Sequence, residues 1–353
     1  MRIAIKRDAT IVDDKGHVSG KDTGATLLRR LLRLFPEAVL IGPEPFHSDT
    51  LDIVPLEFLD PADTVIINMD VMDSPALWNR LRDGGQSPAS VMNFLWWPTT
   101  LLEDIREIST VALSCALFPT FAGSRRHAEE VRDLVEQWTV AEIAESLRLE
   151  WVNPGFRLAH VQERHDPRIP IVMYPSIVLS ARKRPQDFIE VIDTARTLAP
   201  DVDFRVEMRL HEAHLESDVA RSIATRDWVS IESLLTDRTD YWAALSRTTA
   251  FVATSPEEAY GLGCVEALGA GAIGIFPDVP WAQDLLPEGY PYLWSDLDEA
   301  ADMLIEVLED PASARAQLNA LTGGDFIAWV NADHSDLAFE RALTGAVAQW
   351  FGQ

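Results

Sequence analysis

Cysteine is nearly absent: Cys115 and Cys264 are the two in 353 residues, and both stand in apolar surroundings in different halves of the chain. A disulfide framework is therefore not expected. Basic residues are also scarce, with 30 Lys and Arg against 56 Asp and Glu, giving a formal charge of −26 at pH 7. Extended nucleic-acid binding is driven by Lys and Arg on phosphates, so that class of partner is disfavoured. No apolar run approaches the ~18 residues of a membrane span. Residues 1–8 lack an apolar signal region followed by a small-residue cleavage site and read instead as a first strand, which sets the expectation of a soluble cytoplasmic protein. Low-complexity tracts and short-period repeats are missing as well. What is present is an ordinary globular balance, 47% hydrophobic and 24% charged residues, which excludes wholesale disorder. At roughly 150 residues per domain, the length suggests two domains.

Apolar runs of strand length alternate with amphipathic runs of helix length. Residues 3–6 read as a strand. In residues 25–35, Leu27, Leu28, Leu31, Leu34 and Phe35 share one face at helical spacing. Short apolar segments at 39–41, 64–68, 90–94 and 111–118 read as further strands, and 125–138 as a helix. A break is expected over 153–168, where Pro, Gly and charged residues replace apolar periodicity. The alternation then restarts, with strands at 169–174, 203–208, 249–254 and 272–276. Helices are expected at 185–198, 237–245, 263–268 and 297–308. Near-continuous apolar strands separated by helices imply parallel sheets covered on both faces. The expected architecture is α/β: two doubly wound parallel-sheet domains facing across a cleft, with ligands outside the carboxyl ends of the strands.

The most informative stretch is Thr254-Ser255-Pro256-Glu257-Glu258-Ala259-Tyr260-Gly261-Leu262-Gly263-Cys264-Val265-Glu266. A strand ends, a loop with two glycines follows, and a helix begins near Gly263. Glycines let backbone approach a ligand, and the amides at a helix start favour an anion, most simply a diphosphate. Glu266 suits hydrogen bonds to hydroxyls beside such phosphates rather than the phosphates themselves. Three consecutive cations, Arg182-Lys183-Arg184, follow the first strand of the second half, where they can neutralise charge on a leaving diphosphate. The first loop carries Gly16, Gly20 and Gly24 but matches neither the dinucleotide fingerprint nor the P-loop.

The stretch from Glu258 to Glu266 resembles the E-x7-E signature of retaining GT-B glycosyltransferases of the family 4 type, and residues 272–280 continue the match. The resemblance extends more weakly over nearly the whole chain. It implies two Rossmann-like domains: an acceptor-binding domain over residues 1–155, completed by a helix from about 334 to 353 that crosses back, and a nucleotide-sugar-binding domain over 168–333. By position, Glu266 would hold ribose hydroxyls, Glu258 would hold hydroxyls of the donor sugar, and the backbone of Gly261, Leu262 and Gly263 would hold the diphosphate. Lys183, with Arg182 as partner, would take the basic role, although in the family the two cations stand further apart. Gly20 falls in the loop that approaches donor phosphate and acceptor. Asn93 or Trp97 would contact sugar where relatives carry a histidine; the adjacent tryptophans also suit packing.

Other apparent motifs read as structure. His211-Glu212-Ala213-His214 lacks the i, i+4 histidine pair of a zinc helix, and by resemblance Arg209-Leu210-His211 stands where relatives often have a Gly-x-Gly turn that approaches the base. Ser124-Arg125-Arg126 reads as a capped helix start. Cys264 stands where a helix dipole would acidify a thiol, yet no general base accompanies it, so it reads as packing.

The function expected is metal-independent, retaining transfer of a sugar from a UDP- or GDP-sugar co-substrate to a hydroxyl acceptor, with no other cofactor. The alternatives are a non-catalytic sugar- or nucleotide-binding protein of the same fold, and a nucleotide-sugar epimerase or dehydrogenase, whose fingerprint is missing from the first loop. A modified-DNA acceptor stays open, against the charge.

Overall fold

The computed structural model describes residues 2–20, 22–84, 90–258 and 260–352. The chain divides into two compact units, Met1–Pro154 with Phe339–Gln353, and Gly155–Ala338.

The first unit holds strands β1 (Arg2–Lys6), β2 (Ile11–Val12), β3 (Val18–Ser19), β4 (Val39–Ile41), β5 (Phe46–His47), β6 (Asp52–Val54), β7 (Thr64–Asn68), β8 (Ser90–Leu95), β9 (Thr120–Ala122) and β10 (Leu149–Trp151). Eight of them form one sheet in the order β10-β9-β8-β7-β1-β4-β6-β5, while β2 and β3 make a separate hairpin. Within the eight-stranded sheet pairing is parallel except between β5 and β6. Side chains alternate between two cores, as the pleat requires. Ile3 and Ile5 join Leu27, Leu28 and Leu31 of the Thr23–Leu34 helix on one face. Ala4 joins Val39, Leu56 and Leu77 on the other. Each of those leucines contributes about 2 kcal/mol by leaving water. Phe339, Leu343, Ala346 and Val347 of the C-terminal helix Asp336–Phe351 complete the first core.

One expected strand is a helix. Residues 111–118 belong to the helix Ile105–Leu117, which starts where Asp104 accepts a hydrogen bond from the Arg106 amide at 2.7 Å. Val111, Ala112 and Cys115 are buried, whereas Leu113 and Leu117 face solvent. A run apolar at nearly every position carries no period to read. The strand of this region is β9, immediately beyond.

The second unit holds β11 (Ile171–Met173), β12 (Arg205–Leu210), β13 (Val229–Ser233), β14 (Ala250–Val252), β15 (Ile273–Pro277) and β16 (Leu293–Trp294) in the order β13-β12-β11-β14-β15-β16, parallel throughout. From β11 the chain steps outward one way, and from β14 the other. Their carboxyl ends are therefore the topological switch point, where such sheets bind ligands. Helices Pro185–Leu198, Leu262–Gly269 and Leu297–Glu309 pack on this sheet. Gly269 is required there, because a Cβ would stand 2.3 Å from the Phe156 ring.

Candidate functional site

At the β11–β14 switch point the segments that follow the two strands are fastened together. The Thr254 hydroxyl reaches the Lys183 and Arg184 carbonyls at 2.9 and 3.1 Å. Ser255 Oγ lies 3.2 Å from the Arg182 carbonyl. The buried Trp281 indole donates to the Ser255 carbonyl at 3.1 Å. Gly263, near the start of the Leu262–Gly269 helix, approaches so closely that a Cβ would lie 3.1 Å from the Pro175 carbonyl. Gly261, which precedes this helix, adopts φ +77°, left-handed backbone that suits glycine, and offers no side chain to cap it.

Charged side chains gather around this turn. Lys183 Nζ pairs with the Glu258 carboxylate, both partly buried. Glu266, only 7% exposed, receives Arg238 on one oxygen at 2.5 Å and the Tyr241 hydroxyl on the other at 2.7 Å. The Arg238 guanidinium also lies over the Tyr241 ring, 4.6 Å from its centroid. Burial, reinforced by the Glu266 charge, raises the Tyr241 phenol well above its ordinary range, so it remains a donor. His160 is near enough to feel Arg157 and Arg238 as well as Glu266; burial and those two cations lower its pKa. Beside the cluster is a cavity of about 60 Å³ whose walls include Ser176, Glu207, Arg209, Tyr241 and Gly263. Arg209 is held by Glu207 at 2.8 Å and Glu232 at 2.7 Å.

Tyr260, inside the signature, is also anchored. His334 Nε2 faces the Leu285 carbonyl at 3.1 Å and so carries the proton. Its Nδ1 then accepts from Tyr260 at 2.8 Å, and the Tyr260 oxygen accepts from the Gly155 amide at 3.2 Å. Burial lowers His334 to about 4, which keeps its ring neutral at pH 7.

The structure thus brings together Lys183, Glu258, Gly261, Leu262, Gly263 and Glu266. Arg182 supplies its carbonyl to this assembly, and its side chain is exposed. Lys21 and Ala259, which lie inside the two glycine-bearing loops, fall outside the described residues. Cys264 is buried, and desolvation raises its pKa rather than the helix start lowering it.

Gly20, Asn93 and Trp97 belong to the first unit. Gly20, at φ +114°, turns the chain after β3 and gives its carbonyl to Arg29 at 2.8 Å. Asn93 corrects the expectation of a sugar contact. It lies within β8, wholly buried, with its oxygen accepting from Ser74 at 2.6 Å and its amide donating to Ser114 and Thr120 at 3.1 Å each. No group on it is left for a ligand. Trp97 is half-buried and packs against the cluster containing Val71, Leu95 and Val131. Arg238, Tyr241, His160 and Tyr260 were not singled out from sequence. Only the proximity of Tyr260 to the glycines hinted at any of them.

No protein-family model matches the chain, and no curated protein matches it in sequence. In three dimensions the fold is GT-B, that of two-domain glycosyltransferases. The sucrose-phosphate synthase of Thermosynechococcus elongatus superposes with TM-score 0.69 at 16% identity, over 99% of each chain. HepE of Anabaena, solved in complex with UDP-glucose, gives TM-score 0.68 at 14% identity over 99% of this chain and 100% of its own. A trehalose-6-phosphate synthase from Burkholderia multivorans gives TM-score 0.68 at 12% identity, covering 99% of this chain and 98% of its own. Among the described residues, no helix is long and apolar enough to cross a membrane.

Proposed function

We propose that the protein is a retaining glycosyltransferase that moves a sugar from a UDP- or GDP-sugar to a hydroxyl acceptor without a divalent metal. The observation that carries this reading is the convergence, at one switch point, of the Gly261–Gly263 turn, the Lys183–Glu258 pair and the Glu266–Arg238–Tyr241 cluster. The second unit binds the donor and the first binds the acceptor. Amides at the start of the Leu262–Gly269 helix meet the diphosphate, where a helix dipole favours negative charge. Glu266 still has lone pairs beyond its two present partners and accepts from the ribose hydroxyls. Glu258 orients the donor sugar.

Lys183 has three N–H donors, so it can keep Glu258 and also meet a phosphate oxygen. Arg182, exposed beside it, adds a second positive charge. Together they stabilise the diphosphate as it leaves, which takes the place of a metal. In the step itself the acceptor oxygen bonds to the anomeric carbon as the bond from that carbon to the β-phosphate oxygen breaks. The acceptor proton passes to the departing diphosphate on the same face. The protein contributes position and charge, and no side-chain nucleophile.

The test is incubation with a panel of UDP-, GDP- and ADP-sugars in the presence of EDTA, following nucleoside diphosphate release and the anomeric configuration of the product by NMR. Release with retained configuration is expected. Silence across the panel supports the non-catalytic alternative, reduction of NAD supports the dehydrogenase, and an inverted product contradicts the mechanism.

A further inference from the structure

The first unit contains a cavity of about 920 Å³, within the size range of small-molecule sites. It opens at the carboxyl ends of β1 and β4, where Lys6, Arg7 and Asp8 meet Ile41 and Gly42. Its apolar floor is laid by Leu40, Phe46, Leu56 and Leu77. Around that floor stand five carboxylates, Asp8, Asp13, Asp14, Glu44 and Glu57, against three cations, Lys6, Arg7 and Arg80.

All three cations are already engaged. Lys6 Nζ lies 2.8 to 3.0 Å from carboxylate oxygens of Asp8, Asp70 and Asp73. Burial opposes its charge, but hydrogen bonds to Asp8, Asp73 and Asp70 outweigh it, and the pKa rises. Those three aspartates are close enough together to suit a metal ion, and the Lys6 ammonium occupies that place itself. Arg7 is held by Asp22 at 2.7 Å and the Ala9 carbonyl at 3.2 Å. Arg80 pairs with Glu57. A phosphate entering here would meet five carboxylates against three cations, each of which already holds a carboxylate. A protonated amine would meet Asp14 and Glu44, both exposed at the rim, over a floor that accepts a ring face.

We propose that this cavity binds a hydroxylated amine, of the amino-sugar or aminocyclitol class, as the acceptor. The assignment rests on the transferase reading and narrows its acceptor by excluding sugar phosphates. It therefore separates this protein from neighbours whose own names specify phosphorylated sugars.

The test is calorimetric titration of the full chain at low ionic strength with 2-deoxystreptamine, glucosamine, myo-inositol and glucose 6-phosphate. At least one amine should bind about tenfold more tightly than the neutral polyol, and the phosphate most weakly. The double variant Asp14→Asn, Glu44→Gln should weaken the amine about fivefold, the range of two exposed charge pairs, with melting temperature retained. Equal affinity for inositol, tighter binding of the phosphate, no binding of either amine, or an unchanged double variant would each overturn the assignment. UDP titrated into the same samples reports on the other unit. Amine preference without UDP binding leaves the cavity assigned and removes the transferase; UDP binding without amine preference does the reverse.

Discussion

Asn93 in the first unit and Glu266 in the second are both buried polar side chains beside a parallel sheet, and they are completed in opposite ways. Ser74, Ser114 and Thr120 use both ends of the Asn93 amide, which is neutral and wholly enclosed. Glu266 keeps its charge against Arg238 and Tyr241, and Arg238 is 45% exposed. Burial alone therefore does not separate a structural polar group from a functional one. What separates them is remaining hydrogen-bond capacity together with a path to solvent. On that criterion Asn93 organises a core, whereas Glu266 keeps the open hydrogen-bond capacity that the proposed ligand role requires.

The contrast breaks most visibly at Asn93. Asn93→Ala would strand two hydroxyls and a carbonyl, costing about 3 kcal/mol of stability. Melting followed by circular dichroism should register this loss while UDP affinity stays unchanged; a selective loss of UDP binding would erase the distinction.

Next comes pH. Burial, together with the Arg126 charge, lowers His127 to about 4, and burial lowers His334 to the same value, against an ordinary 6.5 for each. Between those values the unfolded chain takes up protons that the native state refuses. Stability is therefore complete above pH 6.5 and declines as the pH falls toward 4, by about 2 kcal/mol per histidine at pH 5. Melts at pH 7 and pH 5 should show the loss, and His334→Gln should reduce it. A melting temperature indifferent to pH across this window would contradict the enclosure of both rings.

Glu266→Gln keeps the shape and removes the charge, so UDP should bind about tenfold more weakly with little change in melting temperature. The smallest effect belongs to Arg238→Ala. Glu266 retains Tyr241, and the pair is screened by solvent on its Arg238 side, so its contribution stays at about 1 kcal/mol. Stability should barely change, while the donor KM should rise. A melting shift as large as that of Asn93→Ala would show the cluster to be structural.

Much of the fold was legible because strand-length and helix-length runs differ in period, as at Leu27, Leu28 and Leu31. Residues 111–118 were misread because an apolar residue at nearly every position erases that difference. The stretch around Glu266 was legible because its glycines, helix start and carboxylates lie within one short segment. Arg238 and Tyr241 were hidden because they reach Glu266 from 28 and 25 residues away. Their own surroundings carry only a helix cap at Asp237. Asn93 was misassigned for the same reason: its saturation depends on Ser74, Ser114 and Thr120, which become neighbours only when the sheet forms. The lack of a general base near Cys264 in sequence agrees with its burial, where desolvation raises its pKa.

The most direct measurement is a crystal structure with UDP-glucose bound. It should place the diphosphate on the amides of Gly261 to Gly263 beside Lys183, with the ribose hydroxyls on Glu266. A nucleotide bound elsewhere, or that turn left empty at saturating ligand, would contradict the account.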